Sequence, residues 1–236
     1  NYKCIESFIS KSLELVKFDN IKAILFDLDG TLFETAPELS RAVNLMLKDL
    51  EMAQLKTNEI KRFIGRGAEN LIKQSIEVSS KKDPTPVFAS AEKLFAHHYS
   101  LISANSLMFE GVEKAITDLK AKDFLLGCVT NKPAVYTEAL MDHSRLSGFM
   151  DIIVSGDTTA KKKPDPLPIL YALNQLNIEP KDAIMVGDSV VDIEAGFEAG
   201  TYIFTVPYGY QFGESIISDK VDYAMSNFSE LTQIIN

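Results

Sequence analysis

The sequence is poor in the features that mark secreted, zinc-binding, membrane-spanning or nucleic-acid-binding chains. It has two cysteines in 236 residues, Cys4 and Cys128, which lie far apart and form no framework, as fits a reducing compartment. No Cys-x-x-Cys, His-Glu-x-x-His or paired Cys/His spacing offers a zinc site. No apolar stretch approaches the ~20 residues needed to cross a bilayer. The first residues mix Lys3, Glu6, Lys11 and Glu14 with hydrophobic ones, so they make no signal-peptide core. There is no basic run and no aromatic-basic interleaving, and the net charge is -9. Both argue against nucleic acid as a partner. The expectation is a soluble, cytoplasmic protein with no membrane partner.

What is present is enough apolar residue, 46%, to bury a sizeable core, in one large domain or one domain with an insertion. Residues 21 to 33 read as the organising stretch: a short apolar run stopped by Asp27-Leu-Asp-Gly-Thr, as expected of a buried parallel strand. Residues 5 to 16 carry an amphipathic helical stripe, over a segment bounded at 1–19, which could pack on the chain's own surface or form a dimer contact. From 38 to 104 the patterns are helical, broken at Lys56-Thr57-Asn58 and at Lys82-Asp83-Pro84-Thr85-Pro86. Beyond residue 112, helix and strand alternate, with strands expected at 124–130, 151–155, 183–186 and 202–206. Lys163-Pro-Asp-Pro is expected to open a helix. The fold class is therefore α/β, a doubly wound parallel sheet with right-handed crossovers, with an inserted helical domain over 37–105 and a core over 20–36 and 106–236.

Open sheets of this kind place ligands at strand carboxyl ends, and four such ends here carry polar residues. Asp27 and Asp29 project to one side of an extended segment while Leu28 points into the core. Two carboxylates so close need a cation, a shared proton or a cationic side chain. Gly30 lets the chain turn sharply, and Thr31 offers a hydroxyl to fix the turn. Thr130 and Asn131 end the next strand, Lys163 sits in a later loop, and Asp188 and Asp192 lie four apart at a helix start. Taken alone, Asp188 reads as a helix cap and Asp192 as a first-turn acid. Together, the oxygen-rich surroundings suit Mg²⁺, a hard cation often shared with a phosphate. The set has the parts of a phosphoryl-transfer site.

Asp27-Leu-Asp-Gly-Thr, Thr130-Asn-Lys, Lys163-Pro and Gly187-Asp-Ser-x-x-Asp192, in this order, resemble the four motifs of the haloacid-dehalogenase-like phosphohydrolases. Phe63-Ile-Gly-Arg-Gly-Ala, Val129-Thr-Asn-Lys-Pro, Lys163-Pro-Asp-Pro and Tyr208-Gly-Tyr resemble the phosphoglycolate phosphatase branch, over about residues 20 to 233. The resemblance implies an inserted helical cap, and a Mg²⁺-dependent phosphatase of a small phosphorylated metabolite, 2-phosphoglycolate foremost, working as monomer or homodimer. It implies Asp27 as nucleophile, Asp29 as acid and base, and Thr130, the Asn131 amide and Lys163 around the phosphoryl oxygens. The metal would be held by Asp27, Asp188 and the Asp29 carbonyl, with Asp192 behind them. Arg66 and Gly67 would meet the rest of the substrate from the cap. Glu34-Thr35 departs from the Asp-Ser usual in that branch, and the longer acid is expected to narrow the site mouth. The rivals are a β-phosphoglucomutase-like mutase, whose fourth motif typically starts Glu-Asp and not Gly187-Asp188, a nucleotide or pyrophosphate phosphatase, and a regulatory module without turnover. A dehalogenase of this fold would lack Asp29.

Overall fold

The computed structural model describes residues 18–210 and 219–235. The amphipathic stripe expected near the amino terminus and Cys4 lie outside the described residues. The main sheet has six parallel strands: β1 (Ala23–Phe26), β4 (Leu125–Val129), β5 (Ile152–Val154), β6 (Ala183–Gly187), β7 (Tyr202–Thr205) and β8 (Tyr223–Ala224). Their order is β5-β4-β1-β6-β7-β8, so the chain runs outward from β1 to β5 and then returns to build the other half. The reversal falls at β1, where the crevice outside the carboxyl ends is the expected ligand position. All four β1 residues are fully buried, because helices cover both sheet faces. Alternation divides them: Ile24 and Phe26 join one core with Leu126, Cys128 and Val186, while Ala23 and Leu25 join another with Val154, Ile169 and Met185.

Between β1 and β4 lie four helices, α1 (Ala36–Asp49), α2 (Thr57–Lys61), α3 (Ala68–Ser80) and α4 (Phe88–Ser100), of which α1 and α4 pack most extensively on each other. Pro37 sits in the first turn of α1, where its missing N–H costs nothing. The four helices share a core of their own, including Leu39, Val43, Ile64, Leu71, Phe95 and Tyr99, and Tyr136 and Tyr210 enter it from the sheet side. The two strands that sequence periodicity did not reveal join this helical layer to the sheet. Strand β2 (Phe33–Glu34) pairs antiparallel with β3 (Leu107–Met108), Phe33 opposite Met108 and Glu34 opposite Leu107.

The remaining helices are α5 (Val112–Ala121), α6 (Ala134–His143), α7 (Leu167–Leu176), α8 (Val190–Ala199) and the short α9 (Leu231–Ile234). Helix α7 starts at Leu167 with Pro168 in its first turn, later than the Lys163-Pro-Asp-Pro expectation. Lys163 and Pro164 thus belong to the loop ahead of the helix, joined by a cis peptide bond. The sixth strand, β8, was also unforeseen: two residues are too few to show a period.

Candidate active site

Asp27 is the first residue beyond β1 and is buried together with Asp29, Thr130, Asn131, Lys132, Lys163, Asp188, Ser189 and Asp192. The turn after it closes through backbone bonds: Gly30 N donates to Phe33 O at 2.9 Å, and Leu32 N and Phe33 N donate to Leu28 O at 3.0 Å. None of these uses the Asp29 carbonyl. Gly30 has φ +94°, and a Cβ there would lie 2.5 Å from Asp188 Oδ2, so both conformation and space require glycine. The expected role of Thr31 is overturned: its hydroxyl is buried without a hydrogen-bond partner, and the Tyr208 hydroxyl holds the turn instead, donating to Thr31 O at 3.0 Å.

Lys163 is the ammonium at the centre of the sheet-side site. Its three N–H groups go to Asp27 Oδ1 at 2.8 Å, Val129 O at 2.6 Å and Asp192 Oδ1 at 2.6 Å. Of the three consecutive lysines, it alone enters; Lys161 is exposed and pairs with Asp165 at 2.7 Å. Ser189 caps α8, and its hydroxyl donates to Asp192 Oδ2 at 2.7 Å. Asp188 lies just ahead of the helix, where its Oδ2 accepts from Tyr210 N.

Asp27, Asp188 and Asp192 bring carboxylate oxygens within 4.8 Å of one another. Burial pushes the Asp27 carboxyl up to about 7, against the pull of Lys163 and with added repulsion from Asp192 and Asp29. Burial, then repulsion from Asp192 and Asp27, holds Asp188 well above the carboxylate range. Lys163 is held above the lysine range: burial works against its charge, but Asp192 and Asp27 outweigh it.

These residues fit a divalent cation. With all groups ionised, the four carboxylates Asp27, Asp29, Asp188 and Asp192 face two ammonium groups, Lys132 and Lys163, and leave a formal charge of −2. The donors are all oxygen, as Mg²⁺ prefers. Asp192 has both oxygens engaged, by Lys163 and by Ser189, whereas Asp27 and Asp188 each keep one oxygen with no partner among the described residues. Asp27 and Asp188 are thus the better-disposed ligands, and Asp192 supports them through Lys163 and Ser189.

A second ammonium lies on the other side, and sequence reasoning gave it no role. Lys132 Nζ donates to Asp29 Oδ1 at 2.9 Å and to the Tyr99 hydroxyl at 2.6 Å. Tyr99 belongs to α4, so this chain of bonds crosses from the helical layer to the sheet. Burial opposes the charge of Lys132, but Asp29 and Tyr99 hold it above the lysine range. Burial pushes the Tyr99 hydroxyl up to about 12, so it remains neutral. Lys132 stood visible in Thr130-Asn-Lys, yet only the fold shows which way it faces; Tyr99 reads in sequence as one more apolar helix position.

Between layer and sheet lies a cavity of about 30 Å³, lined on the sheet side by Asp27, Asp29, Thr130, Asn131 and Lys132. From the layer, Leu39, Ile64, Leu71, Phe95, Tyr99 and the backbone around Gly65, Gly67 and Ala68 close it. Arg66, expected to grip the substrate, is exposed and does not line this cavity: Gly65 and Gly67, with φ +100° and +89°, turn the backbone inward on either side of it. Glu34 does not narrow the mouth; it is exposed, with Oε1 4.0 Å from Lys61 Nζ. The Asn131 side chain is engaged in structure, donating to Gly65 O at 2.9 Å and Lys163 O at 2.7 Å and accepting from Lys163 N.

A family model described as haloacid dehalogenase-like hydrolase matches residues 24–206. The phosphoglycolate phosphatase of Nitrosospira multiformis is 39% identical over 217 residues, which cover 91% of this chain and 96% of that one. Among solved structures, a predicted phosphoglycolate phosphatase from Haemophilus somnus has a TM-score of 0.88 at 29% identity, covering 91% of this chain and 98% of that one. CbbY from Rhodobacter sphaeroides, in complex with phosphate, has a TM-score of 0.76 at 27% identity, covering 89% and 96%. The motif spacing, the sheet order and these matches agree, and the chain belongs to the haloacid dehalogenase-like hydrolase family.

Proposed function

We propose that this hydrolase is a Mg²⁺-dependent phosphatase that acts on a small phosphate monoester, 2-phosphoglycolate foremost, through an aspartyl-phosphate on Asp27. The observation that carries the reading is the pair Asp27 and Asp29: two residues apart, lining one cavity, yet each tied to a different lysine. A carboxylate nucleophile and a separate carboxyl acid and base are what an ester with an alkoxide leaving group requires. The name of the Nitrosospira multiformis relative supports the choice of substrate.

In the first step Asp27 attacks phosphorus in line, the ester P–O bond breaks, and the leaving oxygen takes a proton from Asp29. In the second, Asp29 takes a proton from water, whose oxygen attacks phosphorus and releases inorganic phosphate, restoring the Asp27 carboxylate. Thr130 and the backbone N–H of Asn131 meet the phosphoryl oxygens, and Lys163, fixed by Val129 O, fixes the orientation of Asp27. Asp27, Asp188 and the Asp29 carbonyl would hold Mg²⁺, which would supply charge neutralisation for the transferring group when bound. The helical layer acts as a cap over the site, and the mostly apolar side chains it places opposite Asp27 and Asp29 suit a short leaving group better than a polyhydroxylated sugar.

Purified protein with Mg²⁺ and a panel of phosphate esters tests this. Release of phosphate from 2-phosphoglycolate, with kcat/KM above that for sugar phosphates and nucleotides, is the expected result. Turnover of none of the panel overturns the phosphatase reading, and preference for a nucleotide overturns the substrate.

A further inference from the structure

The helical layer lies over the site with mostly apolar side chains, and among the described residues the cation lining the cavity is Lys132. Lys132 is 4% exposed, and its ammonium has three N–H groups, of which Asp29 and Tyr99 take two. One donor therefore has no acceptor among the described residues, on a side chain that lines the cavity. A buried ammonium with an unused donor beside apolar walls favours an acceptor that carries negative charge.

A second feature faces the same space. Helix α3, of 13 residues, begins at Ala68, next to Gly67, and no side chain caps it. Gly67 and Ala68 both line the cavity, so the unpaired N–H groups of the first turn lie at its wall. First-turn amides favour an anion, and the positive end of the helix adds to the charge of Lys132. In the proposed mechanism the phosphoryl group does not need these groups, because Thr130 and the backbone N–H of Asn131 meet it on the sheet side, where Lys163, with all three N–H groups engaged, orients Asp27.

We propose that Lys132, together with the first turn of α3, is the specificity-determining element that selects esters whose short leaving group carries its own carboxylate. This deepens the phosphatase reading and rests on it. It also replaces Arg66 as the residue that meets the substrate's carboxylate. The carboxylate would accept the third N–H of Lys132, with Asp29 and Tyr99 keeping the ammonium in place. The apolar side chains of Leu39, Ile64, Leu71 and Phe95 offer a neutral hydroxyl no hydrogen bond in place of the water it would lose.

The test compares two esters of nearly equal size, 2-phosphoglycolate and 2-hydroxyethyl phosphate, in the wild type and in Lys132→Met. The wild type should prefer 2-phosphoglycolate in kcat/KM by about tenfold or more, the scale of a lost charge-assisted hydrogen bond. In Lys132→Met that ratio should fall towards one, with the rise in KM confined to 2-phosphoglycolate. The ratio does not depend on how much of the variant folds. A ratio that survives in Lys132→Met, both rates falling alike, overturns the inference and leaves Lys132 as a support for Asp29 alone. A wild type that hydrolyses both esters equally overturns the inference while the phosphatase reading stands. A wild type that hydrolyses neither overturns both.

Discussion

The two buried lysines of the site occupy opposite regions and are used differently. Lys163 lies under the sheet end and spends all three N–H groups on residues of the α/β core. Lys132 lies where the sheet meets the helical layer, reaches one partner on each side, and keeps one N–H unspent. The first is a finished structural element; the second is complete only with something in the cavity. A site that performs one chemistry and selects one substrate separates those tasks in this way. Groups that handle what every substrate shares are saturated and rigid, and groups that handle what differs are left with free valence.

The sharpest way to break this division is at the nucleophile. Asp27→Asn should abolish turnover of every ester, because the amide matches the carboxylate in shape but does not attack phosphorus; phosphate release measured after stringent purification decides it. The same variant reads the electrostatics. The folded-state value of Asp27, about 7, lies above its ordinary 3.8, so its contribution to stability is full at acid pH and is lost as pH rises through about 7. In chelator, the Tm of Asp27→Asn relative to wild type should therefore climb between pH 4 and pH 8. A flat difference would mean that Lys163 already compensates the charge.

Metal removal should come next in size. Chelation should silence all substrates together, and Mg²⁺ should restore them, whereas Ca²⁺, larger and looser in coordination, should inhibit by misplacing the attacking carboxylate. Full rates in excess chelator would contradict the −2 charge balance as a reason for a cation.

Lys163→Met probes the saturated side by stability. Leaving Asp27 and Asp192 buried without their counter-charge should cost about 3–5 kcal/mol in urea denaturation of the metal-free protein. A loss below about 1 kcal/mol would show that the sheet end tolerates an unpaired charge, and the contrast with Lys132 would blur. The smallest effect should come from Arg66→Ala. An exposed charge contributes at most about 1 kcal/mol, so kcat/KM on 2-phosphoglycolate should change by less than about fivefold. A larger loss, specific to the carboxylated ester, would return Arg66 to the substrate.

The saturated region was the legible one. Asp27, Asp29, Thr130, Asp188 and Asp192 follow strand ends whose apolar runs announce them, Lys163 is marked by the proline after it, and alternation of helix and strand gives the parallel sheet. The interface between layer and sheet was not legible, because contact between Tyr99 and Lys132 joins residues 33 apart that no periodicity relates. The position of Arg66 outside the cavity lining was hidden for a similar reason. Its flanking glycines signal a close approach of backbone, and the chain does approach there, but through Gly65 O to Asn131, with the guanidinium left outside. Short strands escaped as well, since two residues carry no pattern; β2 and β3 exist only because each finds the other.

That small ribbon has a mechanical consequence. The two crossings between layer and sheet are not independent tethers: they are bonded to each other, and Phe109 N is bonded in turn to Leu32 O at 3.0 Å. Independent tethers would let the layer slide, tilt and twist, whereas a paired crossing confines it largely to swinging about one axle. The axle is not remote from the chemistry. Phe33, which forms half of it, also accepts from Gly30 N and bridges to Asp29. A swing of the layer about this ribbon would therefore reach Asp29 through Phe33, tying the door to the acid behind it.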